Sequence, residues 1–253
     1  MFFKKTIGLV LGGGGVRGFF HMGVIKGIQK MGIEIEEISG TSIGAIIGLM
    51  YAANPKLDFE KITDDLNFLK LIQALVLGMN KNSYQVMEKF LADYIGVKNF
   101  EELKIRMRFN AADMNNNQEI IFEEGKIFPG LMASISIPGV FPPLKIGERF
   151  LVDGGVINNI PVNLIKEANK IIVSDITGPI KKVDEKSLGL DVLYSSVATM
   201  QKNIGLQKME KIKKKIIYLN LDDDKTFILD FRKKNYQYLI DLGYKSFLTN
   251  YDK

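Results

Sequence analysis

Hydrophobic and polar positions in the first fifty residues follow a strand–helix–strand–helix order. Residues 6–11 form a short apolar run that is typical of a buried parallel strand, and residues 19–31 carry apolar side chains at helical spacing. Residues 33–39 predict a second, partly polar strand, and residues 43–53 predict an apolar helix that ends before Pro55. This order predicts a parallel sheet with helical crossovers.

The rest of the chain continues this alternation of helical and extended patterns. An especially apolar stretch covers residues 66–77, and Gly243 weakens the last helical pattern. The sequence has no internal repeat, proline-rich linker or low-complexity block, so we expect an α/β fold in a single domain over residues 1–253. Helices are predicted over residues 57–80, 83–94, 128–137, 188–215 and 231–248, and strands over residues 106–114, 119–123, 149–152, 171–175 and 216–221.

Composition narrows the chemistry available to the chain. Hydrophobic residues make up 46% and charged residues 25%, which suits a globular protein with a sizeable core. The absence of cysteine excludes a disulfide framework, a thiolate metal site and a cysteine nucleophile, and the only histidine is His21. The apolar run of residues 7–11 is too short for the core of a signal peptide, and no stretch is long and apolar enough to span a bilayer. We therefore expect a cytoplasmic protein.

The formal net charge is +5, and most of the positive charge comes from lysine. A lysine-rich codon bias is the explanation that we favour, and attraction to an anionic membrane as a peripheral partner is the alternative. The basic residues are not interleaved with aromatic residues in a recognisable module, so we expect no nucleic-acid partner.

Residues 40–44 read Gly-Thr-Ser-Ile-Gly, a G-x-S-x-G motif between a predicted strand and a predicted helix. A serine on such a sharp turn projects its hydroxyl from the edge of the sheet, and the glycines avoid collisions within the turn. The following helix directs its N-terminus at Ser42, which favours negative charge there. A plain helix cap is the alternative interpretation, since serine and threonine cap helices routinely.

Residues 12–18 read Gly-Gly-Gly-Gly-Val-Arg-Gly and also lie between a strand and a helix. Gly13, Gly15 and Gly18 fit the G-x-G-x-x-G pattern of a dinucleotide site. Such a site requires an acidic residue at the end of the second strand, where this chain has the serine turn instead. The other use of a glycine loop is an oxyanion hole, because N–H groups of residues without side chains can approach a developing alkoxide closely.

A serine nucleophile needs a base, and no histidine follows Ser42 in the chain. His21 precedes it in the first predicted helix, where we favour a packed or capping role. A carboxylate in a dry pocket can accept the proton instead, because burial raises its basicity. Residues 153–155 read Asp-Gly-Gly at a strand end, which places Asp153 at the mouth of a parallel sheet. An ordinary Asp-Gly turn is the alternative.

Taken together and in this order, the three motifs resemble those of the patatin-like phospholipase family. Two further segments are similar to those that precede and surround the catalytic aspartate of that family: residues 133–143 (Ala-Ser-Ile-Ser-Ile-Pro-Gly-Val-Phe-Pro-Pro) and residues 151–162 (Leu-Val-Asp-Gly-Gly-Val-Ile-Asn-Asn-Ile-Pro-Val). The similarity extends over residues 7–175 and, more loosely, over residues 230–243. The short N-terminus and modest C-terminal part resemble the compact bacterial members more than the plant storage proteins.

The resemblance implies a three-layer α/β/α sandwich with a mainly parallel central sheet. It also implies hydrolysis of acyl esters of phospholipids or lysophospholipids, with a lipid acyl ester as partner, no metal and no other cofactor, and it leaves the oligomeric state open. By this resemblance Ser42 attacks the ester carbonyl and Asp153 takes its proton. The oxyanion hole would consist of Gly13, Gly14 and Gly15. The expected supporting residues are Arg17, which would hold the loop or contact a lipid phosphate, and Gly18, Gly40, Gly44, Gly154 and Gly155.

Two other functions are compatible with the same residues. A soluble carboxylesterase or thioesterase would use the same pair without any membrane role, and a nucleotide-binding regulator would use the glycine loop alone. The apolar residues 66–77 would serve a membrane-active enzyme as a lid or membrane contact, although a buried helix explains them as well.

Overall fold

The computed structural model describes residues 6–63, 83–179, 183–185, 187–223 and 233–251. Their strands are β1 (Ile7–Leu11), β2 (Glu37–Gly40), β3 (Arg106–Asp113), β4 (Gln118–Phe122), β5 (Leu144–Ile146), β6 (Arg149–Asp153), β7 (Lys170–Asp175) and β8 (Lys215–Asn220). Their α-helices are α1 (Phe19–Lys30), α2 (Ile43–Ala53), α3 (Phe59–Thr63), α4 (Ser83–Ile95), α5 (Ile127–Ser134), α6 (Gly189–Glu210) and α7 (Lys233–Tyr251).

The strands form one mixed sheet in the order β5-β6-β3-β2-β1-β7-β8, and β4 pairs with β3. The strands β3, β2, β1, β7 and β8 are parallel to one another, as the alternating pattern predicts. Strands β4 and β6 run antiparallel to β3, and β5 runs antiparallel to β6. The predicted α/β fold is confirmed, and an antiparallel part extends its parallel core at one end.

Alternate side chains of the central strands pack into two separate apolar cores. Leu9 and Leu11 of β1 join the large core that includes residues of α1, α2 and α7. Val10 between them joins a smaller core with Met209 of α6. Helices therefore cover both faces of the sheet, which gives the three layers of the predicted sandwich.

Helices α1 and α7 pack backbone to backbone. A Cβ at Gly23 would collide with the carbonyl oxygen of Ile240, and a Cβ at Gly243 would collide with that of Phe20. The sequence predicts a weak point at Gly243, yet α7 runs through it without a break. The close approach to α1 explains why glycine occupies this position, because any side chain would push the two helices apart.

Several boundaries differ from the predicted ones. Strand β2 begins at Glu37, because residues 33–36 carry the chain from the end of α1 to the sheet. Helix α6 ends at Glu210, before the basic residues that lead into β8, and α5 ends at Ser134. The sequence does not predict β5, which has three residues and is too short for a periodic pattern.

Parts of two predicted helices lie outside the described residues, namely most of residues 57–80, including the apolar stretch 66–77, and the start of residues 231–248. Within the described ranges, no helix combines the length and the apolar character needed to cross a membrane.

Candidate active site

Strands β2 and β6 end close together along one edge of β3. Residues 111–113 of β3 pair with both β4 and β6, so these two strands lie on opposite edges of β3. Phe109 pairs with both β4 and β2, so β2 shares the edge of β6. Gly40, the last residue of β2, pairs with Phe109, and Asp153, the last residue of β6, pairs with Ala111. The topology therefore brings the segment after β2 and the end of β6 together.

Ser42 lies on a strained turn between β2 and α2. Its φ of 56° and ψ of −124° lie in a backbone region that residues with a side chain rarely adopt. Ser42 is one of two non-glycine residues with positive φ in the described ranges. Gly40 and Gly44 permit this turn. A Cβ at Gly40 would lie 2.6 Å from the carbonyl oxygen of Gly44, and one at Gly44 would collide with that of Leu11. The turn has the geometry of a nucleophile elbow, with Ser42 at the N-terminus of α2.

Asp153 is buried at the end of β6, beside Ser42. Burial raises the pKa of Asp153 to about 6, while hydrogen bonds from the Ser42 side chain and the Gly155 N–H oppose this rise. The Gly155 N–H donates to Oδ1 at 2.7 Å. A carboxylate with a pKa in this range can take a proton from a hydroxyl far better than an exposed aspartate can. The structure thus brings the predicted Ser42–Asp153 pair into contact.

The end of α5 and the residues that follow it support both members of this pair. The Ser42 N–H donates to Oγ of Ser134 at 3.2 Å, and the Asp153 N–H donates to the carbonyl oxygen of Ser136 at 2.9 Å. The Ser136 hydroxyl donates to the Met132 carbonyl at 2.7 Å. Sequence similarity points to this segment without giving it a role, and the structure shows that it connects the two motifs.

The glycine loop lies against Ser42. A Cβ at Gly13 would lie 3.4 Å from Cβ of Ser42. The Gly13 N–H donates to the Asn159 carbonyl at 3.1 Å and is therefore engaged within the protein. Among the described residues, the N–H groups of Gly14 and Gly15 have no hydrogen-bond acceptor. Of the three glycines expected to form an oxyanion hole, Gly14 and Gly15 thus keep their donors available.

A family profile described as patatin-like phospholipase matches residues 9–165, which is more than half of the chain. The chain belongs to the patatin-like phospholipase family. The resemblance inferred from the motifs is confirmed.

Relatives of known sequence agree with this assignment. An uncharacterized NTE family protein of Mycobacterium tuberculosis is 31% identical over 169 residues, which cover 66% of this chain and 47% of that protein. Lysophospholipase NTE1 of Debaryomyces hansenii is 33% identical over 186 residues, which cover 68% of this chain and 12% of that protein. The chain thus spans less than half the length of these curated relatives.

The fold also resembles a solved structure. The crystal structure of VipD from Legionella pneumophila has a TM-score of 0.55 and 13% sequence identity, over 97% of this chain and 66% of that one. At this identity the likeness concerns the fold alone.

In this patatin-like site, His21 supports the glycine loop through a hydrogen bond to Gly12. It is fully buried, and burial lowers its pKa to about 4, so the ring is neutral at physiological pH. Its Nε2 lies 2.8 Å from the Gly12 carbonyl, which can only accept, so Nε2 carries the proton. Nδ1 then accepts from the Ser174 hydroxyl at 2.7 Å. Both ring nitrogens are engaged away from Ser42, and the packed role predicted for His21 is confirmed.

Arg17 connects the glycine loop to the chain after β7. It is buried, and its guanidinium donates to the Thr177 carbonyl at 2.5 Å. A Cβ at Gly178 would collide with that guanidinium. Of the two roles expected for Arg17, this contact corresponds to holding the loop.

The remaining two supporting glycines also permit close packing around Ser42 and Asp153. A Cβ at Gly18 would collide with the Ile43 side chain, and one at Gly154 would collide with Oδ1 of Asn110. Gly18 therefore lets the glycine loop approach the serine turn, and Gly154 lets the Asp-Gly-Gly segment approach β3.

Asn158 and Asn159 join all three motifs, and the sequence patterns assign them no role. The Thr41 hydroxyl lies 2.9 Å from the Asn158 carbonyl, which links the serine turn to the Asp-Gly-Gly segment. The Asn159 side-chain N–H₂ lies 3.1 Å from both the Gly13 carbonyl and the Thr177 hydroxyl. Two adjacent amides between Ile157 and Ile160 are the only signal in the sequence that could have marked them.

Within the described parts of the chain, no three histidine, aspartate or glutamate side chains come together in a way that could hold a metal ion.

Proposed function

We propose that the chain is a lipid acyl hydrolase with a Ser42–Asp153 dyad. The observation that carries this proposal is the contact between the strained Ser42 and the buried Asp153, whose pKa is raised to about 6. A serine held at an elbow and hydrogen-bonded to a buried carboxylate is equipped for nucleophilic attack with the carboxylate as base. His21 has both nitrogens engaged elsewhere and takes no part in the proton transfer.

The reaction proceeds in two halves. Oγ of Ser42 forms a bond to the ester carbonyl carbon while its proton moves to Asp153, and the carbonyl oxygen becomes an oxyanion. The bond to the alcohol oxygen then breaks, and the alcohol leaves with the proton from Asp153. Water attacks the acyl-serine, gives its proton to Asp153, and releases the fatty acid as Ser42 regains a proton. The dyad ends in its starting state.

The N–H groups of Gly14 and Gly15 are the proposed donors to the oxyanion. They have no acceptor within the described residues and belong to the loop that lies against Ser42. The positive end of α2, at whose N-terminus Ser42 lies, adds to this stabilisation. Gly13 has a different part, because its N–H is held by Asn159. A Cβ at Gly13 would collide with Oδ1 of Asn159, so this position requires a residue without a side chain.

The proposed substrates are acyl esters of phospholipids or lysophospholipids. The family is described as patatin-like phospholipase, and the matched protein of Debaryomyces hansenii is named a lysophospholipase. A cytoplasmic location and an organisation as a single domain remain predictions.

Covalent labelling tests this function. A fluorophosphonate should label the wild-type chain, and peptide mass mapping should find the label on Ser42. Ser42→Ala should abolish both labelling and turnover of lysophosphatidylcholine. Ser136→Ala is a matched control, since Ser136 lies nearby but donates to the Met132 carbonyl, and it should retain labelling. Labelling of Ser42→Ala at Ser39, Ser134 or Ser136 would overturn the assignment. Turnover of short soluble esters without any turnover of lysophospholipid would favour the soluble esterase.

A further inference from the structure

The first half of α6 exposes an apolar surface. Large apolar side chains there reach high exposure, with 73% for Leu188 just before the helix, 59% for Leu193 and 56% for Met200. We call this region the α6 apolar surface. Its members are Leu188, Val192, Leu193, Tyr194, Val197 and Met200.

The opposite face of the same helix already packs on the protein. Ser195 and Ala198 are buried in the first half of α6, and Gly205 and Met209 continue this face in the second half. Gly205 lies against the Ile160 side chain, and Met209 belongs to the smaller apolar core. The exposed apolar residues therefore add nothing to this packing. The second half of α6 differs, since its exposed positions are mainly polar, such as Asn203, Gln207 and Glu210.

The α6 apolar surface adjoins the proposed dyad. The Gln201 side chain donates at 3.0 Å to the carbonyl oxygen of Gly155, which lies two residues after Asp153. Val156, the next residue, is itself 46% exposed. Helix α6 has 22 residues, or about 33 Å, whereas the six residues of β7 span about 20 Å. The helix ends only a few residues before β8 begins, so its C-terminal end lies near the amino edge of the sheet. Because the helix is longer than the strands, its first half extends past the opposite, carboxyl edge, where Ser42 lies.

We propose that the α6 apolar surface docks on an anionic phospholipid bilayer and brings the dyad to its substrate. This inference rests on the proposed function, because a substrate that resides in a bilayer must reach Ser42 from the membrane. A protein partner on the same surface would cover the segment that carries Asp153, whereas a bilayer would supply the ester there.

The charge of the protein complements this partner. The net charge is +5. Two lysines lie in the second half of α6, Lys202 and Lys208, and four more follow the helix at residues 211–215. An exposed apolar helix half on a protein of positive net charge suits docking at an anionic membrane interface, with the apolar side chains among the acyl chains. Anionic headgroups would therefore strengthen binding, and salt would weaken it.

Vesicle sedimentation tests the proposal. Leu188, Leu193 and Met200 are replaced together by serine in a Ser42→Ala background, so that binding is measured without hydrolysis. Vesicles of phosphatidylcholine with phosphatidylglycerol serve as the probe. The triple substitution should weaken binding by about tenfold or more. A matched control replaces Met31, Met114 and Leu248, which are exposed elsewhere, and should bind as the unsubstituted protein does. Circular dichroism and thermal unfolding verify that each variant is folded.

Three results would overturn the proposal: absence of vesicle binding by the Ser42→Ala protein, equal binding by the triple variant, or equal loss in the control. Light scattering could give a fourth such result, namely a dimer that the triple substitution dissociates while vesicle binding stays unchanged. The surface would then be a contact between two copies of the chain. Vesicle binding through this surface together with failure of fluorophosphonate to label Ser42 would leave docking intact and reject the hydrolase.

Discussion

The side chain of Ser42 hydrogen-bonds to Asp153 because β2 and β6 end two residues apart along the same edge of β3. This relationship depends on β6 running antiparallel to β3, so that its last residue meets the end of a parallel strand head to head. A purely parallel sheet would place the two ends side by side on neighbouring strands. The antiparallel extension of the sheet is therefore what brings Ser42 and Asp153 together.

Asp153→Asn should remove nearly all turnover while preserving the fold. An amide retains the shape and can still accept the Gly155 N–H, but it cannot take the Ser42 proton. We expect kcat to fall at least about a hundredfold, in the range of general-base catalysis, with little change in KM. Initial rates on a soluble ester measure this. Asp113→Asn is the control and should remain active, because Asp113 is the last residue of β3 and its side chain accepts from the Asn115 and Asn116 N–H groups instead.

Asp153→Asn should also stabilise the protein at neutral pH. Burial raises the pKa of Asp153 from 3.8 to about 6, so the charged carboxylate disfavours the folded state. The wild type therefore loses stability as the pH rises through this interval, and Asp153→Asn should recover up to about 3 kcal/mol above it. Urea unfolding at pH 4 and pH 7 should show a gain for the variant only at the higher pH. Equal gains at both values would contradict a buried, ionised carboxylate.

The pH dependence of kcat/KM should show one acidic limb near pH 6. Asp153 acts as a base only when it is deprotonated, and the raised pKa means that activity falls as the pH drops through about 6. Above that pH the rate should reach a plateau, since the pKa of His21 is lowered to about 4 and adds no limb there. A limb that persists unchanged in His21→Gln supports this assignment. Disappearance of the limb in that variant would assign it to the histidine.

His21→Gln should keep most of its turnover but lose stability. Glutamine can replace one of the two hydrogen bonds that His21 makes with Gly12 and Ser174, and losing the other costs about 1–3 kcal/mol. Thermal unfolding and activity per folded molecule separate the two effects. If His21→Gln is folded and as inactive as Asp153→Asn, the Ser–Asp dyad is wrong.

The glycine loop allows donors to be compared one at a time. Replacing the Gly14 or Gly15 residue with glycolate changes its N–H to an ester oxygen without adding a side chain. We expect kcat to fall about 10²–10³-fold for a residue that donates to the oxyanion. The same exchange at Gly13 should mainly lower stability, because its N–H donates to Asn159. A larger loss of kcat at Gly13 than at Gly14 and Gly15 would reverse the proposed roles.

The sequence alone determined the local elements and the identity of the chemical groups. Helix α2 spans Ile43–Ala53, the same range that the sequence predicts, because it is continuously apolar and bounded by a serine turn and a following proline. The serine turn, the glycine loop and the Asp-Gly-Gly motif are also local signals, since tight turns depend on the residues within them. Because the only histidine precedes Ser42 in the chain, the sequence itself favours a carboxylate such as Asp153 as the base.

The tertiary structure decided which of these groups remain free and which are engaged. The Gly13 N–H meets Asn159, His21 meets Ser174, and Ser42 meets Ser134, each across long stretches of chain. Which face of α6 is covered also depends on contacts from distant strands and loops, not on the periodicity of the helix itself. Burial and hydrogen-bond partners are properties of the packed chain, so the pKa of Asp153 and the exposure of Leu193 follow from that packing and not from the local sequence.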